Sequence, residues 1–131
     1  MKRRIAIALT IIIVMMQGLT SYADSEPVLI KKRATAYCLK GSTCTGIEVR
    51  PGICASGNRE LIGKTIIMYQ RLPNDEVGEI IGIYEVEDTG CSSNVIDVWM
   101  PDLEQCQQFM NRVYEDNCKG KIWVQVLEGV G

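Results

Sequence analysis

The sequence contains no histidine. That absence excludes a Ser-His or Cys-His nucleophilic pair, a histidine-containing zinc site and imidazole as a general base. Chemistry in this chain must come from carboxylates, lysine, tyrosine, hydroxyls or thiols. There are only four prolines and twelve glycines in 131 residues, with no repeat. Collagen, low-complexity disorder and coiled coil are therefore excluded, and the length suits one globular domain. No Cys-x-x-Cys knuckle occurs, so the sequence offers no thiolate metal site.

Long hydrophobic runs are equally scarce. The one present, Ile5 to Met16, follows a basic start at Lys2, Arg3 and Arg4 and leads into Ser21-Tyr22-Ala23. It is shorter than the ~20 residues of a membrane span, and the pattern is that of a secretory signal peptide over residues 1–23. Its removal takes three of the fourteen basic residues and none of the sixteen acidic ones, so the mature chain carries a net charge of −5. The only basic cluster left is Lys31-Lys32-Arg33, which reads as part of a solvated leader or linker over 24–33. Nucleic acid is a poor partner for such a chain, and no stable membrane span is expected after cleavage.

What remains contains six cysteines, Cys38, Cys44, Cys54, Cys91, Cys106 and Cys118. An even count in a small exported domain predicts three disulfides. Sequence does not select the connectivity. Joining near neighbours would give Cys38–Cys44, Cys106–Cys118 and Cys54–Cys91.

β-Branched and aromatic runs predict strands over Lys32–Tyr37, Lys64–Tyr69, Glu79–Glu87, Val95–Met100 and Lys121–Leu127. Leu39 to Gly57, rich in Gly, Ser, Thr and Cys, reads as a loop. From Pro101 to Arg112 the spacing turns helical, with Leu103, Cys106, Met110 and Val113 on one face. The expected fold is mainly β, a small barrel with one inserted helix.

Two acids stand out. Asp97 interrupts the apolar strand Val95-Ile96-Asp97-Val98-Trp99, where a carboxylate is unusual. It is either a residue facing solvent or a partly desolvated general acid. Asp88 opens Asp88-Thr89-Gly90, which is good turn chemistry in its own right. Glu85 and Glu87 alternate onto one strand face and read as solvated. Trp99 and Trp123 are either core residues or sugar-stacking platforms.

Taken in order, Thr35-Ala36-Tyr37-Cys38, Thr45-Gly46, Gly52-Ile53-Cys54-Ala55, Leu61-Ile62-Gly63-Lys64, Glu87-Asp88-Thr89-Gly90 and Val95-Ile96-Asp97-Val98 carry a resemblance. The set, spanning residues 34–128, resembles the three-aspartate (3D) domain of exported bacterial cell-wall proteins, including the C-terminal part of membrane-bound lytic transglycosylase A. The resemblance implies a six-stranded double-psi β-barrel that acts on peptidoglycan glycan strands outside the cytoplasm, without metal or organic cofactor. It implies Asp97 as catalytic acid/base with Asp88 beside it, tuning its pKa by like charge. Thr35, Tyr37, Thr45, Thr89 and Gly90 would line the groove. The family's first aspartate has no counterpart, since Ala55-Ser56-Gly57-Asn58 stands in its place. Two readings therefore stay open: a lytic transglycosylase working with one carboxyl, and a non-catalytic glycan-binding or structural module.

Overall fold

The computed structural model describes residues 27–127. The signal-peptide segment lies outside the described residues. Six strands, β1 (Leu29–Tyr37), β2 (Ile53–Ser56), β3 (Thr65–Arg71), β4 (Val77–Asp88), β5 (Val95–Trp99) and β6 (Lys121–Leu127), accompany one helix, α1 (Leu103–Tyr114). The fold is mainly β, as expected. Each strand pairs with two others in the order β1-β5-β2-β4-β3-β6, and β6 returns to β1, so the ladders form a closed barrel. Two pairs are parallel, β1 with β5 and β2 with β4; the rest are antiparallel.

Alternation fills the interior. Ala34, Cys54, Ile66, Met68, Val86, Ile96, Val98, Ile122 and Val124 point inward and are essentially inaccessible. Fully burying side chains of this kind contributes about 1.5–3 kcal/mol each before conformational entropy is subtracted. In β6 the face Ile122, Val124 and Val126 packs inward.

Three local expectations are corrected. Residues 29–33 of the segment assigned to a leader already belong to β1, where Leu29–Arg33 pairs with Gln125–Lys121. Within them Lys32 is buried, its ammonium donating to the Ser93 carbonyl rather than being solvated. Second, the segment read as loop contains β2. All four of its residues are buried, because β4 and β5 flank it and both faces are covered, so no alternation marks it. Third, α1 starts two residues after Pro101. Asp102 is the N-cap, its carboxylate accepting from the Gln105 amide at 2.8 Å. The helix buries Phe109 and Val113, while Leu103 is 77% exposed. Met110 and Val113 of the predicted face do pack on the core, with Phe109 added to them and Leu103 left out.

Among the described residues no two of the six cysteines stand at disulfide-bonding distance. One near-neighbour pair is geometrically excluded. Cys106 and Cys118 lie at opposite ends of α1, and the eight helical steps from Cys106 to Tyr114 alone rise about 12 Å. A disulfide needs Cα atoms within about 7 Å. Cys118 packs instead against Leu72, and Cys106 lies near Cys38, which together with burial raises the Cys106 thiol pKa. Cys44 donates its thiol to the Glu87 carbonyl, away from Cys38.

Candidate active site

Ile96 and Val98 face the barrel interior, so Asp97 between them faces outward. Its neighbours on that face follow from the register. Thr35 of β1 is paired with Asp97, Tyr37 with Trp99, and Ala55 of β2 with Asp97 on the other side. Ala55 is also the partner of Asp88. One alanine therefore sits between the two aspartates, whose backbones are two strand spacings apart, about 10 Å.

Asp88 reaches this face only through a bulge. Cys54 pairs with Val86 and Ala55 with Asp88, which leaves Glu87 as an extra residue in β4. Simple alternation would put Asp88 on the interior side with Val86. The inserted residue turns it outward.

The outward face is not open solvent, because the segment following β1 is latched across it. The Trp99 indole donates to the Leu39 carbonyl at 2.8 Å. The Cys44 amide donates to Asp88 Oδ1 at 3.1 Å, and the Thr45 hydroxyl donates to Glu87 Oε2 at 2.6 Å. Thr43 and Thr45 share a hydroxyl contact of 2.9 Å. The Thr89 amide closes a second bond to Asp88 Oδ1 at 2.9 Å, and Gly90 turns the chain with φ of 110°.

Asp97 is half-buried, and the Thr35 hydroxyl donates to its Oδ1 at 2.7 Å. Burial raises its pKa above the ordinary carboxylate value, and the Thr35 bond opposes that rise. The expected cause, like-charge repulsion from Asp88, is not what raises it. The intervening Ala55 separates the two, and the Asp88 carboxylate is turned to two amides.

Tyr37 stands on the same face. Its hydroxyl is buried and has no hydrogen-bond partner. Burial first, then the negative charge of Asp88 and Asp97, holds the phenol protonated far above its ordinary range. An unpartnered buried donor costs about 1–3 kcal/mol, and a ligand oxygen placed between the aspartates would satisfy it.

Of the residues predicted for the site, Asp97, Thr35 and Tyr37 share one face with Asp88, and Thr45, Thr89 and Gly90 build its rim. Thr45 does so through Glu87, an acid that strand alternation alone marks as solvated. No local pattern announces that contact, because 42 residues separate the partners.

The segment Ala55-Ser56-Gly57-Asn58 is used structurally. A Cβ on Gly57 would lie 2.2 Å from the Cys91 carbonyl oxygen, so glycine is required for the close approach. The Asn58 side chain caps the 3-10 turn Arg59–Leu61 by accepting from the Glu60 amide at 3.2 Å. Cys54 is held as a thiol by burial, with Cys91 and Asp97 adding to the effect, and its pKa is pushed up to about 12. Among the described residues no group of acids and thiols is arranged to hold a metal, and no helix is long and apolar enough to cross a membrane. Comparison with known proteins finds no matching family model and no matching curated relative.

Proposed function

We propose that the chain is an exported cell-wall protein of the three-aspartate type that cleaves the β-1,4 glycosidic bond of peptidoglycan as a lytic transglycosylase. The observation that carries this reading is Asp97: a half-buried carboxyl of raised pKa, fixed by Thr35, beside the unpartnered Tyr37 hydroxyl. Raised pKa and fixed geometry suit a general acid.

Protonated Asp97 gives its proton to the leaving O4 as the C1–O4 bond breaks. The resulting carboxylate then takes the proton of the sugar's own C6 hydroxyl, whose oxygen bonds to C1. The product is a 1,6-anhydro ring, and no water is consumed. One carboxyl suffices, whereas ordinary glycoside hydrolysis uses two in defined separation. Asp88, committed to the Cys44 and Thr89 amides, shapes the rim and needs no proton-transfer role. Tyr37 donates to a sugar oxygen.

The same reading makes the closed sheet a double-psi β-barrel, which the two parallel pairs β1/β5 and β2/β4 support. It also makes the thiols disulfides after export. Cys38 with Cys106 and Cys54 with Cys91, each pair close enough for one thiol to act on the other's charge, are the favoured pairs.

A second reading, a glycan-binding module without turnover, is favoured by one observation. The segment that should carry the first acid instead supports Cys91 and caps a turn. Mass spectrometry of purified glycan strands after digestion decides between them. Terminal muramyl residues lacking one water mark lytic cleavage, lost in Asp97→Asn. Reducing ends would mean hydrolysis. Binding without products would mean the module.

A further inference from the structure

On a part of the barrel that shares no residue with the Asp97 face, the turn after β3 and the turn before β6 enclose a cleft of about 390 Å³. Arg71, Asn74, Asp75, Asn117, Lys119 and Lys121 line it. Three cations and one carboxylate give a local excess of positive charge in a chain whose net charge is −2. The carboxylate is also engaged elsewhere. Asp75 bonds Lys31 at 2.8 Å, and that bond, with Arg71 and Lys121 nearby, holds it below its ordinary pKa. Glu115 and Asp116 act on Cys118, a lining residue, without themselves lining the cleft.

Arg71 is the unusual member. Its side chain is only 11% exposed, yet it makes no hydrogen bond among the described residues, and its Nε is buried without a partner. Its one ion pair, to Asp75, is 4.0 Å long. The guanidinium is held over the Trp123 ring, 5.5 Å from the centroid, while Lys31 lies 5.7 Å from that centroid. A mostly buried guanidinium whose Nε has no acceptor and whose one ion pair is long is costly. A guanidinium already fixed in place loses little entropy on binding, and its fork matches oxyanions in a way a lysine does not.

We propose that this cleft is a binding site for an oxyanion, a carboxylate or a phosphate group, gripped by Arg71 with Lys119 and Lys121 adding charge. The site is independent of the reaction assigned to Asp97. Two resonances report on it: the Arg71 Nε–H, and the Trp123 indole N–H, which donates to the Asp75 carbonyl at 3.1 Å.

The test is a nuclear magnetic resonance titration of the full chain with inorganic phosphate and, separately, with N-acetyl-D-alanine, sodium chloride being withdrawn to keep ionic strength constant. Saturable shifts of both resonances are expected. Saturation by phosphate alone assigns a phosphate ligand, and by N-acetyl-D-alanine alone a carboxylate. Arg71→Lys, which keeps the charge and loses the fork, should weaken binding at least tenfold. Lys119→Gln, at an exposed turn position that does not threaten the fold, should weaken it about threefold. Flat or non-saturating curves with both anions, or unchanged affinity in both variants, would overturn the proposal.

Discussion

Thr35→Val removes one hydroxyl and little else. Valine keeps the β-branched shape that suits β1, and the strand's backbone ladder to β5 does not involve the side chain. What disappears is the 2.7 Å bond to Asp97 Oδ1. A hydrogen bond to a charged group is worth about 1.5–3 kcal/mol and one between neutral groups about 0.5–1.5 kcal/mol. Because Asp97 is half-buried, the lower end of the charged range applies, about 1.5 kcal/mol at neutral pH. For a domain of this size that corresponds to a fall in Tm of about 6–12 °C. Once acid has protonated Asp97, the loss should shrink toward about 0.5 kcal/mol.

Urea unfolding of wild type, Thr35→Val, Asp97→Asn and the double variant closes a cycle that isolates the pair from everything else valine changes. The expected coupling at neutral pH is about 1 kcal/mol or more, since asparagine keeps an acceptor but not the charge. The variant should also shift the alkaline limb of any Asp97-dependent activity to higher pH, because the bond that opposes the pKa rise is gone and the acid stays protonated further up. A Thr35→Val cost that is the same in the Asp97→Asn background as in wild type, and the same in acid as at neutral pH, would refute the reasoning.

Asp97→Asn alone should reverse a pH trend. A carboxyl whose native pKa is raised binds more protons folded than unfolded, so wild-type stability falls as pH rises from the unfolded-state value of about 3.9 through the raised native one. The variant should lack that fall and be the more stable protein at neutral pH, as read from urea midpoints across the acid range. For the thiols, intact mass of the exported chain before reduction should show no alkylation at Cys38, Cys106, Cys54 or Cys91. A peptide map linking Cys106 to Cys118 would contradict the helix geometry.

The strands β3 and β6 were legible because their alternation is local. Residues two apart, such as Ile66 and Met68 or Ile122 and Val124, share a face, and that face is the core. The same logic hides β2, whose four residues are all buried and flanked by a turn and Gly57. It also misjudges Lys32. A lysine in a basic triplet looks solvated until a distant carbonyl, that of Ser93, is found above it. The helix face is right at Met110 and Val113 and wrong at its first position, because helical spacing alone places Leu103 with the core, whereas the packing on the barrel is made further along by Phe109, Met110 and Val113.

The site itself is non-local twice over. Asp88 and Asp97 lie nine positions apart in sequence, yet β4 and β5 do not pair with each other. They are brought to one face by β2, a strand more than thirty residues upstream, through a single alanine that is the register partner of both. The face that Asp88 occupies depends further on one extra residue, Glu87. Without that bulge the carboxylate would point with Val86 into an interior of isoleucine, valine and methionine, where an unpaired charge is not tolerated. The bulge and the latch belong together: Glu87, pushed out of the ladder, accepts from Thr45, and the same segment then reaches Asp88 through the Cys44 amide. A substitution that restored regular pairing in β4 would therefore remove both the acid and the segment that covers it, whatever the residue at position 97 does.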